Sequence, residues 1–148
     1  MSKRKGTAEW NGNFKNGKGK VKFGSFEGDY SFKSRFENGA GTNPEEMIAA
    51  AHAGCFSMAL SKDLSDKGYE PKKIQTTAEV SIEILKQGPR ITLIELNTEV
   101  DVPNLSKEEL IKFAEGAKKD CPVSQALKGV DIKLNVKLKK VAESLVSN

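Results

Sequence analysis

The chain has 148 residues, a length that fits one globular domain over 1–148 and leaves little room for a second. Hydrophobic residues make up 37% and charged residues 30%, enough for a core and too apolar for a wholly disordered chain, and the net charge of +4 permits nucleic acid without demanding it. The longest apolar-rich stretch, Met47 to Leu60, is shorter than the ~18 residues of a membrane span, and Lys3-Arg4-Lys5 leads into Gly6-Thr7-Ala8-Glu9-Trp10 rather than a signal-peptide core, so the expectation is a soluble, cytoplasmic protein with no membrane partner.

The N-terminal third alternates with period two. In Lys18-Gly19-Lys20-Val21-Lys22-Phe23 the lysines fall on one face, and the pattern predicts strands near 5–11, 17–24 and 26–34 in an antiparallel meander, turned at Asn11-Gly12-Asn13 and around Gly24. Glu37 to Gly41 reads as a loop. A helix then starts: Asn43 suits the N-cap, Pro44 the first helical position, and Glu45 and Glu46 the positive end of the dipole. From Met47 to Leu60 the residues are apolar or small nearly all round, which predicts a long helix buried on most sides and ending at Gly68.

Strands near 73–87 and 90–101 should form a long hairpin about Gly88-Pro89. A second helix runs from the cap Ser106 to about Lys119, Pro122 restarts a short helical turn through Leu127, and Ile132, Leu134, Val136 and Leu138 alternate as a last strand. The tail 141–148 carries no strong signal. Strands, helix, strands, helix, strand make an α+β fold.

Two cysteines, Cys55 and Cys121, are too few for a secreted disulfide framework; in a reducing compartment they are buried bystanders or one redox couple. Cys55 lies mid-helix, where reactivity requires a nearby cation, because a free cysteine is mostly protonated at neutral pH. Arg35, at a strand end before the Gly-rich loop, is one suitable donor; its alternative role is a solvated charge. Cys121, before Pro122, fits the N-cap of the short turn, where unpaired N–H groups favour a thiolate. His52 precedes Cys55 by three residues on nearly the same helical face, so a nucleophile–base pair is conceivable, but no Asn or Asp is placed to orient the ring, and a packed, hydrogen-bonded histidine is the simpler reading. A metal site needs further ligands than Cys55, Cys121 and His52, and no Cys-x-x-Cys or His-x-x-x-His spacing supplies them. The lysines at 15, 18, 20 and 22 could touch phosphates, but alternation explains them as the wet face of a strand, so no nucleic-acid partner is expected.

The segments Arg35-Phe36-Glu37, Gly41 to Leu60 and Cys121-Pro122-Val123-Ser124-Gln125 together resemble the OsmC/Ohr family, and most closely its osmotically inducible protein C branch, over nearly the whole chain. The resemblance implies an OsmC-like fold, antiparallel strands around a long buried central helix in an intertwined homodimer. It also implies a thiol-dependent peroxidase that reduces organic hydroperoxides, and hydrogen peroxide less well, with a dithiol reductant and no metal, haem or flavin cofactor. By position Cys55 resembles the peroxidatic cysteine, Cys121 the resolving cysteine, Arg35 the residue that stabilises the thiolate, and Glu45 the carboxylate that holds that arginine. Phe36, Phe56 and Met58 are candidates for an apolar wall or for core. A peroxide-sensing redox switch is the competing class, and no DNA-binding helix pair supports it.

Glu45 and Cys55 are ten residues apart on one helix, roughly 15 Å along its axis at ~1.5 Å per residue, so a carboxylate serving the thiol is expected to come from a second chain packed about a two-fold axis; the alternative is that Glu45 is only a helix-start charge in its own chain.

Overall fold

The computed structural model describes residues 1–139; the tail read as carrying no signal lies outside them. Two compact units divide the chain, Met1–Met47 and the remainder from Ile48 onward.

The first unit opens with the antiparallel meander β1 (Gly6–Asn11), β2 (Lys18–Phe23) and β3 (Phe26–Tyr30). Within β2, Gly19 and Val21 are buried and the lysines exposed. Lys20 pairs with Glu27 at 3.4 Å and Lys22 with the same carboxylate at 3.9 Å, so the basic stripe is partly neutralised across the sheet. The third strand stops four residues before the expected end. Ser31 instead caps a short helix, α1 (Phe32–Phe36), in a capping box with Ser34, and Arg35 lies on that helix rather than at a strand end. The apolar–polar alternation of this segment mimics a strand; two serine hydroxyls satisfying helix-end N–H groups override it.

Helix α2 (Pro44–Asp66) begins where expected, with the Asn43 side chain accepting the Glu46 N–H at 2.8 Å. Its C-terminus runs out to Gly68, which takes φ +87°, and the Tyr69 N–H returns to the Leu64 carbonyl at 3.0 Å.

In the second unit β4 (Lys73–Leu85) and β5 (Gly88–Asp101) form the long hairpin, turned at Lys86-Gln87 two residues earlier than the Gly-Pro pair suggests. Helices α3 (Lys107–Asp120) and α4 (Pro122–Ala126) lead to β6 (Asp131–Leu138), which pairs with β5 in parallel while every other strand pair is antiparallel. The helical connection accounts for this: it carries the chain back to the starting edge before the strand begins.

The core of this unit lies between α2, α3 and the sheet. Phe56, Leu60 and Leu64 recur every fourth residue along α2 and meet Ile94, Leu96 and Val100 of β5 and Leu110, Ala114 and Ala117 of α3. Burial of α2 is therefore one-sided within a single chain. Ala50, Ala51, Gly54 and Met58 stay exposed, Met58 at 79%, because one chain packs only one face of a helix that is apolar nearly all round.

Candidate active site

Two constellations carry the candidate residues, one in each unit. In the first, α1 and the start of α2 are tied together by backbone and hydroxyl bonds. Ser34 Oγ accepts the Ser31 N–H at 2.8 Å and donates to the Thr42 carbonyl at 2.7 Å, and Asn43 Nδ2 donates to the Ser34 carbonyl at 2.9 Å. The intervening loop turns at Gly41, whose φ of +109° suits glycine alone and lets Thr42 N–H reach the Asp29 carbonyl at 2.8 Å.

These ties set Arg35 against Glu45. Arg35 Nε donates to both Glu45 carboxylate oxygens at 3.2 Å and Nη2 to Oε1 at 2.7 Å, while the guanidinium lies 5.3 Å from the Phe36 ring centroid. Glu45 is buried, so the carboxylate is a fixed anchor, and it engages Nε and Nη2 only, leaving Nη1 uncommitted to it. A guanidinium held on one edge in this way keeps its charge and its other edge for a second anion.

In the second unit, Cys55 of α2 and Cys121 of α4 come together although 66 positions (121 less 55) separate them in sequence. Both thiols are unbridged, Cys121 at 1% exposure and Cys55 partly buried. Burial pushes the Cys55 thiol above its ordinary range, the Val123 backbone hydrogen bond pulls it down by less, and hydrogen bonding with and charge on Cys121 push it further up. Among the described residues, no cation is among the groups that shift the Cys55 thiol.

Cys121 caps α4 as its sequence position predicts: its Sγ accepts the Ser124 N–H at 3.3 Å. The Cys121 thiol also donates to Ser124 Oγ at 3.1 Å, and that hydroxyl is 2.7 Å from His52 Nε2. His52 is fully buried and bonded, which agrees with the simpler reading of it. Ser124 is the functional neighbour that sequence reasoning left without a role. Its only signal was its place in the Cys121 motif. Of the aromatic and Met candidates, Phe56 is core, Met58 is exposed, and Phe36 packs beside Arg35. Among the described residues no group of three or more His, Cys, Asp or Glu side chains is arranged to hold a metal ion.

The profile of the OsmC-like protein family matches residues 37–135. The chain belongs to that family. It is 47% identical to peroxiredoxin OsmC of Escherichia coli over 92% of this chain and 96% of the relative, and 31% identical to the organic hydroperoxide resistance protein OhrB of Bacillus subtilis over 68% and 74%. Its OsmC-like fold is shared by the crystal structure of an organic hydroperoxide resistance protein OsmC from Legionella pneumophila (TM-score 0.71, 25% identity, 93% of this chain and 99% of the other). An OsmC-like protein from Mycoplasma pneumoniae shares it too (TM-score 0.76, 21% identity, 94% and 99%). The OsmC-like profile takes in Glu45 and both cysteines and begins two positions after Arg35.

Proposed function

We propose that the chain is a thiol-dependent peroxidase that reduces organic hydroperoxides to alcohols, working as a cytoplasmic homodimer with a dithiol as reductant. The observation that carries this reading is the Cys55–Cys121 pair, two unbridged thiols of one chain close enough that charge on Cys121 shifts the Cys55 thiol. Kinship to a peroxiredoxin and to hydroperoxide resistance proteins supports it.

In the reaction the Cys55 thiolate attacks one peroxide oxygen. The O–O bond breaks, the alkoxide leaves and takes a proton as alcohol, and Cys55 becomes a sulfenic acid. Cys121 sulfur then forms the S–S bond as the S–O bond breaks, and the hydroxide leaves as water. An external dithiol reduces the disulfide. Arg35 stabilises the thiolate and the charge developing on oxygen, and Glu45 holds Arg35. Burial raises the Cys55 pKa, and a cation placed there would offset it. The helical spacing of Glu45 and Cys55 supports the cation's coming from the partner subunit, and the exposed apolar side of α2 offers a surface for the pairing. The two units are parts of one OsmC-like domain: α2 runs through their boundary without a break, and so does the family match.

The test is hydroperoxide consumption. Cys55→Ser should abolish it, and Cys121→Ser should consume about one equivalent and stop with Cys55 as a sulfenic or over-oxidised species. Sustained turnover by the native protein with a dithiol separates a peroxidase from a redox switch. A Cys121→Ser protein inert in its first turnover beside an active Cys55→Ser protein would reverse the roles.

A further inference from the structure

We propose that His52 and Ser124 form a proton relay for Cys121, and that the relay serves the resolving step and not the attack on peroxide. This inference rests on the assignment of Cys121 as the resolving thiol.

The geometry is a chain of three groups from three places in the sequence. Cys121 donates its S–H to Ser124 Oγ at 3.1 Å, and Ser124 Oγ lies 2.7 Å from His52 Nε2. With its lone pair accepting from the thiol, the Ser124 hydroxyl hydrogen goes to Nε2, which fixes the imidazole as the tautomer with its hydrogen on Nδ1. All three side chains are almost fully buried, His52 at 0%, Cys121 at 1% and Ser124 at 3%. Nδ1 is the one buried side-chain nitrogen or oxygen among the described residues that lacks a hydrogen-bond partner.

An imidazole with an unsatisfied nitrogen is a poor choice for packing alone, since an apolar side chain of similar volume carries no such cost. Every fourth position from Phe56 through Leu64 on the same helix face holds an apolar residue, and His52 occupies the next such position toward the N-terminus. What the histidine adds is a base reached through a hydroxyl. Burial keeps it neutral, and so able to accept.

The step balances as follows. The Cys121 proton passes to Ser124 Oγ while the Ser124 proton passes to His52 Nε2, and the electron pair freed on Cys121 sulfur forms the S–S bond. The Cys55 S–O bond breaks and its pair leaves on hydroxide. The hydroxide takes a proton to become water, and His52 gives up its proton and returns to neutral imidazole. No hydrogen bond joins Cys55 to Ser124 or His52; the groups that act on its thiol are the Val123 backbone and Cys121. The attack on peroxide is accordingly independent of the relay. His52 and Ser124 are positioning residues that act through Cys121.

Single-turnover kinetics with one equivalent of an organic hydroperoxide separate the steps, by a sulfenic-acid trap for the first and by loss of free thiol for the second. Ser124→Ala and His52→Gln should each slow disulfide formation at least tenfold while sulfenic acid still forms within about twofold of the native rate. The double variant should be no slower than the worse single one, because both break the same chain. Ser124→Thr, which keeps a hydroxyl, should recover most of the loss. In the native protein disulfide formation should run at least twofold slower in D2O, a measurement that needs no variant to fold. Native rates of resolution in both variants, equal slowing of both steps, or no solvent isotope effect would overturn the relay. Failure of the native protein to form the Cys55–Cys121 disulfide at all would instead remove Cys121 as the resolving thiol, and the relay with it.

Discussion

Arg35 owes its place to three neighbours of different chemistry: a buried carboxylate along one edge, an aromatic ring beside it and a serine-stitched turn beneath it. In the proposed site, replacing it with Met would remove the cation that offsets the burial of Cys55. The Cys55 pKa then rises further, and alkylation by a thiolate-selective reagent at pH 7 should slow by about tenfold or more, since a charge at close range moves a pKa by roughly 1–3 units. An unchanged alkylation rate would take Arg35 out of the site. His52 offers a second measurement at this scale, as it is the chain's single histidine. Burial lowers its pKa below the ordinary 6.5, so the unfolded chain binds its proton first as pH falls. Stability from this residue is complete above pH 6.5 and is lost as pH drops from there through the folded-state value. Urea midpoints taken between pH 7.5 and 5 should fall in the native protein and fall less in His52→Gln. The two cysteines and the Arg35–Glu45 partnership could be read from motifs, because each motif is contiguous. Ser124 could not be read: its meaning depends on contact with His52, 72 positions away.

Helix starts were legible where one side chain decides them. Asn43, Pro44 and the two glutamates announce α2 through local bonds that need no distant partner. Helix α1 was illegible although the bonds that decide it, the Ser31–Ser34 capping box, are just as local, because the period-two pattern of Phe26, Tyr30 and Phe32 reads as a strand continuing through residue 34. The parallel pairing of β6 was hidden likewise, since alternation specifies a strand's faces and says nothing of its direction. Asn43 is more than a cap, for its side-chain amide also donates to the Ser34 carbonyl and so couples the two helices that carry Arg35 and Glu45. Asn43→Ala should cost about 0.5–2 kcal/mol in chemical denaturation, the range for a lost N-cap. It should also lower peroxidase activity by loosening the ion pair; Asn43→Asp, which keeps the cap and loses the donated bond, separates the two effects.

At the scale of the whole molecule the open question is which chain serves which thiol. Mixing the inactive variants Cys55→Ser and Glu45→Ala and allowing subunit exchange decides it. If Glu45 acts across the interface, a heterodimer has one site lacking both groups and one site complete, and activity returns; no recovery despite proven exchange would place Glu45 in its own chain's site. The near-uniform apolarity of α2 was plain in the sequence, but which of its faces a single chain would leave uncovered depended on where the sheet and α3 lie.

If that uncovered face, with Met58 at 79% exposure, holds the proposed dimer together, dilution becomes a chemical variable. Association is governed by mass action, so lowering the protein concentration separates the subunits without altering any bond within them. In the proposed dimer a lone subunit would keep both sulfurs and their ability to pair, while the charge that sharpens the first sulfur would depart with its neighbour. Acid strength would thus be a property of the assembly and disulfide pairing a property of the chain, and the two should part company as the solution is thinned.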